Sequence, residues 1–297
     1  MPPSSGWTRR PRLSRFRSSL ASFRTRNSLA RTIHRVKIGG RMPYSVEVTE
    51  HTVRLEGITD SWAGATIAQV TDLHAGFARL EPVYDLVVRL VCSRKPEIIL
   101  FTGDFVNDSR PGNSFLIREL LSRFSAPRGL FVSPGNHDHR RGWEATREDV
   151  EAAGVRVLVN TNILLPGGLW LAGIDDLDDG KPDLEAALRG IGAEEPAILM
   201  SHNPRTIERV GDRPLLVLSG HTHGAQFRLP FPTPAMVCRW HLRCRQVAGW
   251  YTNGRARSYV SRGIGVTGQP FRINCPAEVA FFTLAPNPAA AAQPASE

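Results

Sequence analysis

One arrangement, repeated along the chain, most constrains what it can fold into: a short apolar run that stops at a cluster of Asp, His or Asn. Five such junctions occur. Residues 65–70 lead into Asp72 and His74, and residues 97–101 (EIILF) into Gly103 and Asp104. Residues 129–133 end at Asn136, His137 and Asp138, residues 197–201 (AILMS) at His202, and residues 215–219 (LLVLS) at His221 and His223. Apolar runs of this length bounded by turn residues read as buried strands. Stretches with helical spacing follow the first three, at 81–92, 113–124 and 143–153; the first places Leu86, Val87 and Leu90 on one face. Strand, loop and helix in alternation predict an α/β fold. Open α/β sheets gather their ligand sites beyond the carboxyl ends of the strands, so the polar clusters should converge on one edge.

The rest of the chain is plainer. Residues 45–50 and 52–56 alternate as a short hairpin would, and 155–159, 162–165, 169–174, 258–261 and 278–284 read as further strands. The net charge of +9 suggests a polyanion partner until it is located: residues 1–41 hold eleven of the 37 Lys and Arg and no Asp or Glu, leaving 26 basic against 28 acidic groups elsewhere. Nucleic acid is therefore not an expected partner. Within 1–41, Trp7, Leu13, Phe16, Leu20, Phe23, Leu29, Ile33 and Val36 interleave with arginines. That segment is expected to be partly disordered or an amphipathic helix lying on an anionic membrane surface. No apolar run is long enough to span a bilayer, and the arginines following Arg9-Arg10 leave no room for a signal's apolar core. The expected location is cytoplasmic, peripheral at the inner face of the membrane. The expected division is 1–41 as this segment, 42–285 as the folded domain and 286–297, rich in Ala and Pro, as a disordered tail.

Four cysteines without a CxxC pair do not make a disulfide framework, and Cys238, His241 and Cys244 offer too few ligands for a structural zinc site. The junction residues are more informative. Asp72, His74, Asp104, Asn136, His202, His221 and His223 comprise two carboxylates, one amide oxygen and four imidazoles. Oxygen and imidazole donors without thiolate suit Mn, Fe or Zn, and seven donors exceed the needs of one ion. Two divalent ions about 3.5–4 Å apart and sharing a carboxylate would use them all. In D-x-H and H-x-H, the period-two alternation of an extended segment puts both side chains on one side. Gly103, Gly135, Gly220 and Gly224 would let the backbone turn where a side chain must point inward.

The motifs TDLHAG, FTGDFVND, SPGNHDH, SH at 201–202 and SGHTHG, in that order, resemble the calcineurin-like metallophosphoesterase superfamily. The segment SYVSRGIGVTGQPFRINCPAEVAFFTL further resembles its YkuE- and YaeI-like branch of small bacterial phosphoesterases, which includes relatives that cleave the pyrophosphate of UDP-2,3-diacylglucosamine. The resemblance implies a four-layer α/β/β/α sandwich of two mixed β-sheets flanked by helices. It implies that Asp72, His74 and His223 bind one metal, Asn136, His202 and His221 a second, and that Asp104 bridges them. His137 then contacts the phosphate and protonates the leaving oxygen, with Asp138 acting from behind. The expected activity is hydrolysis of phosphate esters or pyrophosphates of a phosphorylated small molecule or lipid-linked substrate. A soluble nucleotide phosphodiesterase and a non-catalytic metal-binding scaffold are the alternatives. Residues 226–253 are expected to overhang the site, and Arg262 and Arg272 to bind the substrate's outer oxygens. Asp175–Asp179 reads as a solvated acidic turn, His139 as rim, and His34, His51 and His241 as unrelated to the metals.

Overall fold

The computed structural model describes residues 31–38, 42–76, 80–107 and 113–286. In chain order its strands begin with β1 (Arg31–Ile38), β2 (Met42–Arg54), β3 (Thr66–Val70), β4 (Ile98–Thr102), β5 (Leu130–Ser133) and β6 (Arg156–Val157). β7 (Thr161–Leu165), β8 (Leu169–Gly173), β9 (Ala197–Met200), β10 (Leu215–Ser219), β11 (Gly249–Asn253), β12 (Ala256–Val260) and β13 (Ala277–Ala285) follow. The helices are α1 (Glu81–Ser93), α2 (Asn113–Leu121), α3 (Asn136–Arg140), α4 (Trp143–Ala152), α5 (Leu184–Ala187) and α6 (Pro234–His241).

Two mixed sheets result, one in the order β1-β2-β13-β3-β4-β5-β6 and the other β11-β12-β10-β9-β8-β7. Period-two side-chain alternation separates the cores on either side of each sheet. Along β4, Ile99 and Phe101 face α1 and α2, whereas Ile98 and Leu100 face the second sheet. Along β10, Leu216 and Leu218 complete that central layer, while Leu215 and Val217 pack against Ala187, Ile207 and Val210 on the far side. The layers are α/β/β/α, as expected. β3, β4 and β5 run parallel in one sheet and β9 and β10 in the other, so all five polar junctions fall at strand ends.

The N-terminal region departs from expectation. The hairpin expected over 45–56 is instead one strand, β2, and Arg31–Ile38 of the expected tail is β1, paired antiparallel with it from Arg31↔Thr49 to Ile38↔Met42. The helical spacing read from Ile33 to Val36 gives way to a period of two: His34, Val36 and Ile38 turn inward and Arg31, Arg35 and Lys37 outward. Charged side chains on an edge strand oppose pairing with other chains. The rest of the expected membrane segment, residues 1–30, lies outside the described residues, as does the tail from residue 287. Among the described residues no helix is long and apolar enough to cross a membrane.

β2 keeps going because His51 has an interior place rather than a turn. Its ring stacks on Phe282 with centroids 5.4 Å apart, and its Nδ1 accepts from Trp250 Nε1 at 3.4 Å. Burial lowers its pKa from 6.5 to about 4. As pH falls through that window the unfolded chain takes the proton first, so stability is lost between the two values. The stability difference between the protein and His51→Phe should therefore shift by about 2–3 kcal/mol in the variant's favour from pH 7 to pH 4.5. Urea titrations at both pH values measure it, and a pH-independent difference would refute the assignment.

Candidate metal centre

The ligand loops are held in strained backbone. Asp72, His74, Asp104, His221 and His223 have φ between +46° and +72°, the left-handed region that costs a non-glycine residue of order 1 kcal/mol or more. Asp72 and His74 are therefore not presented by alternation along an extended segment. Each is turned inward by a left-handed residue, while Asp72 N and His74 N donate to Gly103 O and Asp104 O, both at 3.0 Å. Gly103 (φ +87°) and Gly224 (φ +60°) supply turns, and all four glycines are also pressed for space: a Cβ on Gly103 would run into Gly135 N, one on Gly135 into Asp104 Oδ1, one on Gly220 into Asp72 Oδ2 and one on Gly224 into Arg262 Cγ.

The donors form two groups joined by one carboxylate. In the first, His223 Nε2 lies 3.3 Å from Asp72 Oδ1 and 3.0 Å from His74 Nε2. In the second, Asn136 Oδ1 lies 2.9 Å from His221 Nδ1 and 3.1 Å from His202 Nε2, with 3.2 Å between the two imidazole nitrogens. Asp104 Oδ2 stands between the groups, 3.5 Å from His74 Nε2 and 3.2 Å from His202 Nε2. Asp72, His74, Asp104 and His223 could hold a metal ion, their donor atoms all lying within 4.8 Å of one another.

The surroundings fix these directions. His202 Nδ1 is 2.8 Å from Thr102 O, which directs Nε2 at the cluster. Tyr84, on α1, donates to Leu73 O at 3.0 Å. The Ser261–Gly265 segment braces the Asp72 loop: Ile264 N donates to Thr71 O at 3.0 Å and Gly265 N to Asp72 O at 2.6 Å. A Cβ on Gly263 would come within 2.6 Å of Asp72 Cβ. Asp138 is the staple: its carboxylate accepts from Asp104 N and Phe105 N at 2.8 Å and from Gly135 N at 2.9 Å. Asp138→Ala orphans three buried donors and should cost about 3 kcal/mol in denaturant unfolding. A loss below about 1 kcal/mol would show that the loops hold themselves.

The electrostatics suit a cation. Burial, assisted by neighbouring imidazoles, pushes His74 and His221 down to about 3, so both rings are neutral with lone pairs to offer. Burial also pushes Asp72 up to about 6, since two carboxylates in one dry cluster repel. Burial opposes ionisation of Asp104 as well, yet the His202 and His74 rings hold it well below the usual carboxylate range. His202 goes the other way: burial opposes its charge, yet Asp104 and Asp72 hold it well above the usual imidazole value, a proton standing where a divalent cation would relieve the same buried carboxylates. The donor set fits divalent metal ions.

This geometry agrees with the comparisons to known proteins. The sequence profile of the calcineurin-like phosphoesterase family matches residues 65–225, which include every one of these donors. The chain belongs to that family. The metallophosphoesterase YkuE of Bacillus subtilis is 34% identical over 250 residues, covering 82% of this chain and 86% of that protein. The phosphodiesterase YaeI of Escherichia coli is 32% identical over 246 residues, covering 78% and 86%. The UDP-2,3-diacylglucosamine pyrophosphatase LpxG of Chlamydia muridarum is 27% identical over 218 residues, covering 57% of this chain and 66% of its own length. A metal-dependent phosphoric ester hydrolase is the activity this membership supports.

The open part of this metallophosphoesterase's site is a cavity of about 370 Å³ lined by Asp104, Asn136, His137, His221 and His223 and, further out, Arg140, Asp178, His241, Leu242, Arg243 and Thr267. The expected overhang by residues 226–253 is supplied by His241, Leu242 and Arg243, at the end of α6 and just beyond it. Arg262 and Arg272 are not among the lining residues. Arg262 pairs with Glu47 Oε2 at 2.7 Å and Glu278 Oε2 at 3.0 Å between the sheets. Arg272 donates to the carbonyls of Gly265 (2.6 Å), Arg262 (2.8 Å) and His223 (3.1 Å). Both guanidiniums are committed to internal acceptors; the arginines that line the cavity are Arg140, itself paired with Asp179 Oδ2 at 2.7 Å, and Arg243. Asp175 accepts from Lys181 N at 2.8 Å and meets His139 Nε2 at 2.5 Å, while Asp176 is buried; the acidic turn is thus only partly solvated. Asn203, buried beside His202, donates to Asp178 Oδ2 at 2.8 Å, a support that its place in a loop gave no means of foreseeing.

Proposed function

We propose that this chain hydrolyses a phosphate ester or pyrophosphate with two divalent ions, one held by Asp72, His74 and His223 and the other by Asn136, His202 and His221. Asp104 is shared between them. The observation that carries this reading is the position of Asp104 Oδ2 between His74 Nε2 and His202 Nε2, within 3.5 Å of both. Divalent ions of the Mn, Fe or Zn type supply Lewis acidity there, polarising the phosphoryl group and acidifying water. The chain's own groups do the rest. His137, on the cavity wall with its backbone N–H on Asp104 Oδ1 at 2.8 Å, is placed to hand a proton to the departing oxygen. Burial lowers its pKa, so a bound phosphate's charge is what restores its proton. Arg243, which has no ion-pair partner among the described residues, offers positive charge to outer oxygens.

The proposed substrate is membrane-derived and lipid-linked, a nucleoside diphosphate carrying an acylated sugar of the UDP-2,3-diacylglucosamine type. The likeness to LpxG supports it, and so do the eleven basic residues within 1–41, which we read as an attachment to the anionic inner face of the membrane. A screen of p-nitrophenyl mono- and diesters, UDP-sugars and lipid-linked pyrophosphates with Mn, Zn and Mg tests the proposal. Chelated protein should be inactive, metal should restore turnover, and the acylated UDP-sugar should have the highest kcat/KM. Equal rates with acylated and unacylated UDP-sugars would move the reading to a soluble nucleotide phosphodiesterase. No hydrolysis with any metal would leave a binding scaffold.

A further inference from the structure

The near-neutral charge of the body conceals a segregation. From Arg213 to Ala277 there is no Asp or Glu, and the same stretch carries nine arginines. Most of these are engaged: Arg255 pairs with Glu56 and Glu194, Arg262 with Glu47 and Glu278, Arg257 lies over Trp250, and Arg228 and Arg272 donate to backbone carbonyls. Arg239, Arg243 and Arg245 are exposed, with no ion-pair partner among the described residues.

The same stretch exposes apolar surface. Among the described residues, seven large hydrophobic side chains are exposed, and four of them lie here: Phe231 at 74%, Trp240 at 59%, Leu229 at 41% and Ile273 at 37%. Arg228 N donates to Ile273 O at 2.9 Å, which sets Leu229 beside Ile273, and Phe231 follows two residues later. Thr233 then caps α6, whose last turn exposes Arg239 and Trp240 one residue before the cavity-lining His241–Arg243.

We propose that α6 and the segment leading into it form a lip that rests on an anionic lipid bilayer and opens the cavity at its surface. Aromatic side chains interleaved with arginine are suited to the headgroup boundary, where rings enter the interface and guanidiniums meet phosphate. An acidic protein would satisfy the arginines but leave Phe231 and Trp240 unexplained. A second copy of this chain would set arginine against arginine. The inference rests on the lipid-linked substrate only for its use: a lip at the membrane brings the cavity to a substrate whose acyl chains stay in the bilayer.

The test uses the full-length chain and vesicles of phosphatidylglycerol and phosphatidylcholine, some with brominated acyl chains that quench tryptophan. Trp240→Phe should lose much of the quenching shown by the wild type, whatever residues 1–30 contribute to binding. The pair Phe231→Ser and Trp240→Ser should partition about ten-fold less onto anionic vesicles, at low and high salt alike. Arg239→Glu with Arg245→Glu should show a similar loss at low salt that shrinks at high salt. Unaltered quenching in Trp240→Phe, unchanged partitioning in both pairs, or equal binding to pure phosphatidylcholine would each overturn the proposal. Unchanged turnover of bis(p-nitrophenyl) phosphate verifies that the variants are folded. Failure of the wild type to cleave that ester would count against the hydrolytic reading while leaving the docking result intact.

Discussion

Asp104→Asn is expected to lose its metals and its turnover together. Asp104 Oδ2 reaches toward both donor groups, at 3.5 and 3.2 Å, while Oδ1 takes the N–H of His137 at 2.8 Å. The amide has nearly the same shape and can still accept that N–H, so the loops should keep their course. What disappears is the one charge two cations would share, and an NH₂ group is presented to nitrogens that need a cation. Losing a ligand shared by two ions should reduce affinity by well over the 10- to 100-fold typical of outer-shell partners. Turnover should fall by on the order of 10³ or more, with less than one metal per chain after dialysis. Elemental analysis and p-nitrophenyl ester assays on the same preparation measure both. A variant with two metals per chain and near-normal rates would remove Asp104 from the shared position, and with it the proposed division into two groups.

The convergence of the candidate donors was legible because their sequence signal is positional. An apolar run needs no family to be read as a buried strand, and a polar residue directly after it is carried to the sheet's edge. The seven donors came together for that reason. The route by which they point inward was not legible. Period-two alternation was assumed for D-x-H and H-x-H, whereas Asp72, His74, His221 and His223 all adopt positive φ. Propensity disfavours that conformation in any non-glycine residue, so tertiary contacts must hold it: at Asp72 the close approach of Gly263 and the bond from Gly265 N to Asp72 O, and at His221 the bond from its N–H to Asp72 Oδ1.

Elsewhere the misses share a cause: a local reading of something only the assembled protein decides. Arg262 looked like a substrate ligand because arginine follows a strand end there, and only the arrival of Glu47 from β2 and Glu278 from β13 shows it filled. Residues 31–38 offered apolar groups to either period, and the free edge of β2 selected the strand. The acid-free stretch from Arg213 to Ala277 could have been found by counting charge in windows; summing it over the whole body averaged it against the acidic first half.

His137→Ala should do what Asp104→Asn cannot, and separate proton transfer from metal binding. Only the backbone of His137 hydrogen-bonds to the ligand set, and alanine keeps that N–H for Asp104 Oδ1. The ring lies edge-on to His74 at 4.8 Å and borders the cavity, so its removal opens space without unseating a donor. Metal content should stay at two per chain while turnover drops by roughly 10²–10⁴, the usual contribution of a positioned acid. The size of the drop should depend on the leaving group. p-Nitrophenolate departs with little need of a proton, whereas an alkoxide needs one as the bond breaks, so the alkyl ester should suffer the larger loss. Turnover of bis(p-nitrophenyl) phosphate and of a matched alkyl diester, with metals counted in each sample, gives the comparison. Equal losses for both esters would mean that His137 binds phosphate without donating a proton. Loss of one metal with the ring would make it a ligand instead.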